Sequence, residues 1–284
     1  MSISIEAVLA IAGVLLYAVA AVLAAVSLLR TETRRDGQAL VLFVMGAFCL
    51  LGVMLIRLFR AGCIPSFTRF DAMACYALAL SLVYLFVNTR RATRGIAGIF
   101  FPFITLVLLG GITALGMSSG APPFQSPWLV FHVFAGYAAY AVFSLASVNA
   151  AAYLVQDYNL KNKCFGPVWE RLPSLESLDH VMSRLVGLAF LLLTVSAVLG
   201  GFLVHRSGSN EPWLTDPKVA AVAAAWILFA ILVHMRASAD RHGRGVAVLT
   251  VVGLIFVLFS FAGVHLVANT VHAFLKLGGG VAGP

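Results

Sequence analysis

Long apolar runs alternate with short polar connections along the whole chain. Eight of these runs approach or exceed the ~20 residues that a helix needs to cross a bilayer. They cover residues 7–29, 39–56, 70–88, 95–117, 128–155, 181–204, 219–235 and 245–275. None shows the strict alternation of apolar and polar residues that is typical of a membrane β-strand. The pattern therefore predicts an all-α, polytopic membrane helix bundle with about eight transmembrane helices.

Composition excludes a soluble domain. Of the 284 residues, 61% are apolar and 11% are charged, whereas soluble domains are roughly 45–50% apolar and about 25% charged. The four cysteines show no CxxC or other metal-ligand spacing. We therefore expect them to be small buried thiols and not metal ligands.

The basic residues predict the orientation of the chain. Thirteen of the nineteen Lys and Arg residues fall in the first, third, fifth and seventh connections or, for Arg184, within four residues of one. Because cytoplasmic loops carry an excess of Lys and Arg, these connections should face the cytoplasm and both termini should face outward. We expect a multi-pass protein of the inner (plasma) membrane. The net charge of +8 then reflects topology, and no nucleic-acid partner is expected.

All seven histidines follow the fourth apolar run, from His132 onward, and the first four runs contain none. At 1.5 Å per residue, the predicted topology puts His132 and His272 near the outer face at one level. His265 would lie about 10 Å deeper than His272 on nearly the same helical face, and His234 would lie toward the inner end of the seventh run. Neutral imidazoles on two helices suit the two axial positions of a haem iron. A simple packing or interfacial role is the alternative for each histidine.

The outward connection between the sixth and seventh runs, HRSGSNEPWLTDPK, is the other concentration of polar residues. It carries Trp213 and Asp216, with further charged side chains beside them. An aromatic side chain among charges fits a docking surface for a planar amphiphile that bears carboxylates. An ordinary solvated loop is the alternative.

Four segments carry a resemblance to a known family. They follow one another within residues 127–275 as PWLVFHVFAGYAAY, LPSLESLDHVMSRLVGLAFLLLTVSAVLGGF, WLTDPKVAAVAAAWILFAILVHMR and FAGVHLVANTVHAF. In order and spacing this set resembles the haem-handling membrane proteins of cytochrome c assembly, the CcsA/ResC and CcmC type. The resemblance implies haem b as the transported or presented substrate. It also implies that His132 and His272 are outer axial ligands to haem iron, and that His234 is a ligand within the membrane.

Two departures from the family pattern affect the expected site. The family's tryptophan-rich loop is reduced to Trp213 and the DPK of residues 216–218, and this shorter loop is more similar to the HemX or YpjD branch. The resemblance still implies cofactor-binding roles for Trp213 and Asp216. His265 stands where the family has an Asn. It could act as a relay ligand, as a hydrogen-bond partner of the outer site, or as packing.

The resemblance implies a function in cytochrome c maturation. Haem would be held between the outer histidines for attachment to apocytochrome c, and the chain would form part of a haem-lyase (synthase) complex with a ResB/CcsB-type membrane subunit. A HemX-like regulator or assembly factor of haem biosynthesis is one alternative, and a b-type cytochrome electron-transfer subunit is another. No catalytic side chain is expected. We divide the chain into an N-terminal four-helix segment, 1–126, and a haem-handling four-helix core, 127–284, within one integrated membrane domain.

Overall fold

The computed structural model describes residues 5–30, 33–61, 69–88, 95–111, 127–207, 216–238 and 243–263. These residues are almost entirely helical and contain no strand. The helices are α1 Ile5–Arg30, α2 Thr33–Ala61, α3 Arg69–Asn88, α4 Ala97–Gly111, α5 Pro127–Lys161, α6 Pro167–Arg171, α7 Leu175–Ser207, α8 Pro217–Ser238 and α9 Arg244–Leu258, followed by a π-helical turn, Phe259–Gly263. The all-α prediction is confirmed.

Within the described residues the helices coincide with the predicted apolar runs, and α6 is a short additional helix between two of them. Residues 264–275 of the eighth run lie outside the described residues. Seven helices in the described residues are long and apolar enough to cross a membrane. The helix in the fourth predicted run, α4, has 15 residues, and residues 112–117 of that run lie outside the described residues. The helical membrane bundle is confirmed, whereas the side faced by each terminus stays a prediction.

Helix α5 lies at the centre of the bundle. It packs along α7 over most of its length and also contacts α3, α4 and α9, whereas α8 packs mainly against α7, α9 and the π-helical turn and meets α5 where Phe229 stacks on Phe143. Every residue from 139 to 150 on α5 is buried. A helix that is buried on all sides must be surrounded by other helices. In the described residues α5 is therefore the core element, and α8 lies at an edge.

Buried hydroxyl groups join α5 to α3 and to the π-helical turn. The Tyr76 hydroxyl of α3 lies 2.6 Å from Ser144 Oγ of α5. The Tyr140 hydroxyl of α5 lies 2.9 Å from Ser260 Oγ in the π-helical turn. The ring of Phe261 packs against Tyr76, with the ring centroids 4.7 Å apart. Polar groups need partners of this kind inside a bilayer, because no water is available to replace them.

Charged side chains connect helix ends at one end of the bundle. Arg57 at the end of α2 pairs with Asp71 at the start of α3, and its Nε lies 3.4 Å from a carboxylate oxygen of Glu6 at the start of α1. Arg60 also pairs with Glu6. The predicted topology puts these three helix ends on the outer side.

A second set of contacts joins helix ends at the opposite end. Arg171 of α6 pairs with Asp36 near the start of α2 and donates to Ser27 Oγ of α1 at 2.8 Å. Arg236 near the end of α8 lies 3.3 Å from the Asp179 carboxylate near the start of α7. These pairings agree with helices that run alternately up and down through the bundle.

Candidate functional site

His132 lies in the second turn of α5, where α5 packs against the C-terminal half of α7. Its ring Nδ1 is 2.7 Å from the backbone carbonyl oxygen of Ser196. A carbonyl oxygen only accepts hydrogen bonds, so Nδ1 must carry the proton and donate. In a neutral imidazole the lone pair is then on Nε2, which is the tautomer that metal-binding histidines use. The fold therefore holds His132 as the Nδ1–H tautomer, and its predicted role as a metal ligand stays a prediction.

A second hydrogen bond holds the backbone beside this ring. Ser196 Oγ donates to the carbonyl oxygen of His132 at 3.0 Å. Ser196 is thus bonded to both the ring and the backbone of one residue, once through its carbonyl and once through its hydroxyl. Two bonds to one partner fix the rotation of α7 against α5 at this level. Sequence reasoning did not identify Ser196, and its only signal was a small polar residue four positions before Gly200.

An aromatic pair lies at the same end of α5 and α7. The rings of Trp128 and Phe202 meet edge to face, with their centroids 5.8 Å apart. Trp128 is one turn before His132 on α5 and remains 46% exposed. An exposed Trp at the end of a membrane helix is typical of the interfacial belt. The imidazole therefore lies just below an aromatic rim at this end of the bundle.

Asp216 caps the N-terminus of α8. Its Oδ1 accepts a hydrogen bond from the Lys218 backbone N–H at 2.7 Å, and its carbonyl accepts from the Ala220 N–H at 3.0 Å. The side chain is nearly buried, with 3% of the residue exposed. Aspartate before a proline in the first turn is a favoured helix start. The structure therefore gives Asp216 a capping role, and its predicted contact with haem stays a prediction.

His234 lies on the exposed face of α8. It follows Ile227 and Ile231 at spacings that put all three side chains on one face, and all three are exposed. Two positions further on, Arg236 turns the other way and pairs with Asp179. His234 is therefore on the exposed face of α8 near its C-terminal end, which the predicted topology puts on the inner side.

The structure does not bring His132 and His234 together. His132 contacts α7 at Ser196, whereas the end of α8 that carries His234 contacts α7 at Asp179. Seventeen residues of helix separate these two points, or about 26 Å along the axis. His132 and His234 could therefore serve only separate sites. His272, His265 and Trp213 lie outside the described residues, and within those residues no three His, Cys, Asp or Glu side chains form a metal-binding group.

The chain matches a family model described as cytochrome C assembly protein, over residues 67–272. This match covers more than half of the 284 residues. The chain belongs to the cytochrome c assembly protein family. The matched range begins before α3 and so includes two helices outside the segments that carried the resemblance in the sequence.

Several curated relatives share the name cytochrome c biogenesis protein CcsA. The relative from Porphyra purpurea is 26% identical over 258 residues, which cover 77% of this chain and 81% of the relative. The relative from Thermosynechococcus vestitus is 26% identical over 291 residues, covering 87% and 88%. The relative from Trieres chinensis is 23% identical over 296 residues, covering 92% and 94%. The similarity thus extends over most of both chains.

Proposed function

We propose that this protein binds haem in the membrane and presents it for attachment to apocytochrome c during cytochrome c maturation. The observation that carries the proposal is the hydrogen bond from His132 Nδ1 to the Ser196 carbonyl, because it fixes the tautomer in which Nε2 bears the ring lone pair, as an iron ligand requires. The family match and the CcsA relatives support the same function. They do not favour the alternative of a regulator of haem biosynthesis.

In this proposal His132 and His272 are the two axial ligands of haem at the outer end of the bundle. Two imidazoles saturate the iron, so the haem is held without an open coordination position. Its vinyl groups can then face the cysteine thiols of an apocytochrome. Each thiol S–H adds across a vinyl double bond, which forms a thioether with no leaving group. The substrate is haem b, since thioether formation requires intact vinyl groups.

His234 belongs to a second site in the proposal. An ionisable side chain on a lipid-facing surface is costly, and such residues usually face a partner or a cavity. His234 is on the exposed face of α8, and α8 is at an edge of the described bundle. A ResB/CcsB-type membrane subunit packed against this face would supply the second ligand to haem at the inner level. The same partner would provide the electrons that keep haem and thiols reduced.

Asp216 and Trp213 act together in the outer loop. Asp216 fixes the first turn of α8 through its cap, and α8 begins where the loop that carries Trp213 ends. We infer that Asp216 holds the end of this loop in place and that Trp213 contacts the haem plane.

A cell-based assay tests the function. A c-type cytochrome reporter is expressed with wild-type protein or with His132→Ala, and covalent haem is measured by haem staining after denaturing electrophoresis. We expect His132→Ala and His272→Ala to abolish covalent haem, while His205→Ala, a histidine exposed at the end of α7, retains it. Total haem and b-type cytochromes should not change. Normal covalent haem in both ligand variants, or a parallel fall in b-type cytochromes, would contradict haem delivery.

The same proposal places the protein in the inner (plasma) membrane with both termini outward. It is supported by the excess of basic residues in the odd-numbered connections. A reporter enzyme that is active only outside the cytoplasm, fused after Pro284, should be active. Activity of a cytoplasm-dependent reporter at the same position would reverse the orientation.

A further inference from the structure

Four residues form a reciprocal contact between α5 and α7, which we name the α5–α7 outer contact: His132 and Gly136 on α5, and Ser196 and Gly200 on α7. On each helix the two residues are four positions apart and therefore lie on one face. Ser196 bonds to the ring and the carbonyl of His132. Gly200 of α7 lies against His132, and Gly136 of α5 lies against Ser196. Because glycine has no side chain, the two helices can approach closely at this level.

Gly200 touches the imidazole of His132. A Cβ atom at position 200 would lie 2.8 Å from ring Cε1, 3.2 Å from Nδ1 and 3.7 Å from Nε2. The nearest of these distances is shorter than real Cβ contacts, so an added methyl group would force the ring to move. The ring cannot move away freely, because Nδ1 is held by the Ser196 carbonyl at 2.7 Å. Only glycine at position 200 is compatible with the observed ring position.

Gly136 is less crowded than Gly200. A Cβ atom at Gly136 would lie 3.2 Å from Ser196 Oγ and near no other atom of the neighbouring helices. It would require Ser196 to shift by a few tenths of an ångström, and the ring of His132 would not be touched directly. The two glycines therefore differ in what they protect. Gly136 makes room for the hydroxyl of Ser196, and Gly200 makes room for the imidazole of His132.

We propose that Gly200 is a positioning residue for haem ligation, because its missing side chain sets the ring plane and the Nδ1–H tautomer of His132. This inference rests on the proposed function, in which Nε2 of His132 binds haem iron. A hydrogen bond from the second ring nitrogen orients a ligating histidine and raises its basicity, and losing such a bond weakens metal binding about 10–100-fold. Gly200→Ala keeps the ligand but displaces it from this bond.

Haem binding to the purified full-length protein tests the inference. We expect Gly200→Ala to bind haem at least about 10-fold more weakly than wild type and to show a mixture of low-spin and high-spin ferric haem in its electron paramagnetic resonance spectrum. Gly201→Ala is the matched control, since a Cβ there meets no atom within 4 Å. Gly253→Ala is a crowding control far from His132, since its Cβ would lie 2.6 Å from Leu228 and 2.7 Å from Phe143. Both controls should keep a purely low-spin spectrum.

A double-mutant cycle supplies a readout without haem. In the haem-free protein, Gly200→Ala should lower the melting temperature when His132 is present. In the His132→Ala background the same substitution should have no effect, because the ring that it crowds is gone. If Gly200→Ala accumulates poorly in cells, the same comparison can be made on protein yield. The yield of the double variant should then equal that of His132→Ala.

The outcomes separate the inference from the function on which it rests. Wild-type haem binding by His132→Ala would refute the proposed function. Loss of low-spin haem in His132→Ala together with a wild-type spectrum in Gly200→Ala would overturn the inference alone. An equal spectral change in Gly253→Ala, or an equal loss of stability by Gly200→Ala in both backgrounds, would show general crowding and would also overturn it.

Discussion

Replacing Asp216 separates a capping role from a direct contact with haem. The carboxylate accepts the backbone N–H of Lys218 at 2.7 Å and is almost completely buried. Asp216→Ala removes this acceptor from the part-buried Lys218 N–H. Asp216→Asn keeps an acceptor oxygen of the same reach and removes only the charge. The two variants therefore test different properties of one side chain.

The size of each effect follows from the cap. Replacing a capping aspartate with alanine costs about 0.5–2 kcal/mol, and partial burial of the Lys218 N–H puts this cap in the upper part of that range. We therefore expect Asp216→Ala to lower the free energy of unfolding by about 1.5 kcal/mol. Asparagine caps nearly as well, and the charge contributes only about 0.3–1 kcal/mol at a helix N-terminus. Asp216→Asn should therefore lose about 0.5 kcal/mol.

The assay is unfolding of the purified protein in mixed micelles by titration with dodecyl sulfate, followed by circular dichroism. Lys161→Ala is a suitable control, because Lys161 is an exposed partner of Asp157 at the opposite end of the bundle. The reasoning is refuted if Asp216→Asn is as destabilised as Asp216→Ala. It is also refuted if Asp216→Asn keeps its stability but loses haem, because the charge would then contact the substrate directly.

Two further substitutions test the packing that holds the site. Phe143→Ala should destabilise the protein by about 3–5 kcal/mol, because its fully buried ring stacks on Phe229 with centroids 3.8 Å apart. Phe134 is 55% exposed, so Phe134→Ala should change stability little. Similar losses of stability in the two variants would contradict the assigned core. Arg236→Ala should cost about 3 kcal/mol, since it removes the cation beside the largely buried Asp179 carboxylate. A loss below 1 kcal/mol in the same unfolding assay would show that this ion pair is exposed.

The helices could be predicted from the sequence because a bilayer imposes a simple length rule. The start of α7 follows a local signal as well, since Ser174 Oγ accepts the Ser177 N–H at 3.3 Å and α7 begins at Leu175. The position of His132 along the helix axis follows from its place near the start of α5. These features depend on local sequence and on the rise of a helix, and both are visible in the chain itself.

The facing of side chains could not be predicted in the same way. The exposure of His234 on α8 could not be predicted, because the packing of α8 against α7 is fixed by tertiary contacts such as Arg236 with Asp179; its role at an inner haem site stays a prediction. The role of Gly200 was also hidden, since it arises from a ring on another helix 68 positions earlier. The cap at Asp216 can be predicted from the sequence, because aspartate before proline is a helix-start signal. The resemblance to the family drew attention to a binding role for this residue and not to the cap.

The most direct test of the central claim is the optical spectrum of the purified full-length protein, with and without added haem. The account predicts a low-spin, bis-histidine haem spectrum in wild type and in His205→Ala, and its loss in His132→Ala and His272→Ala. A protein that binds no haem under any condition would contradict the account. So would a second haem that remains after both outer ligands are removed, because it would indicate an electron carrier.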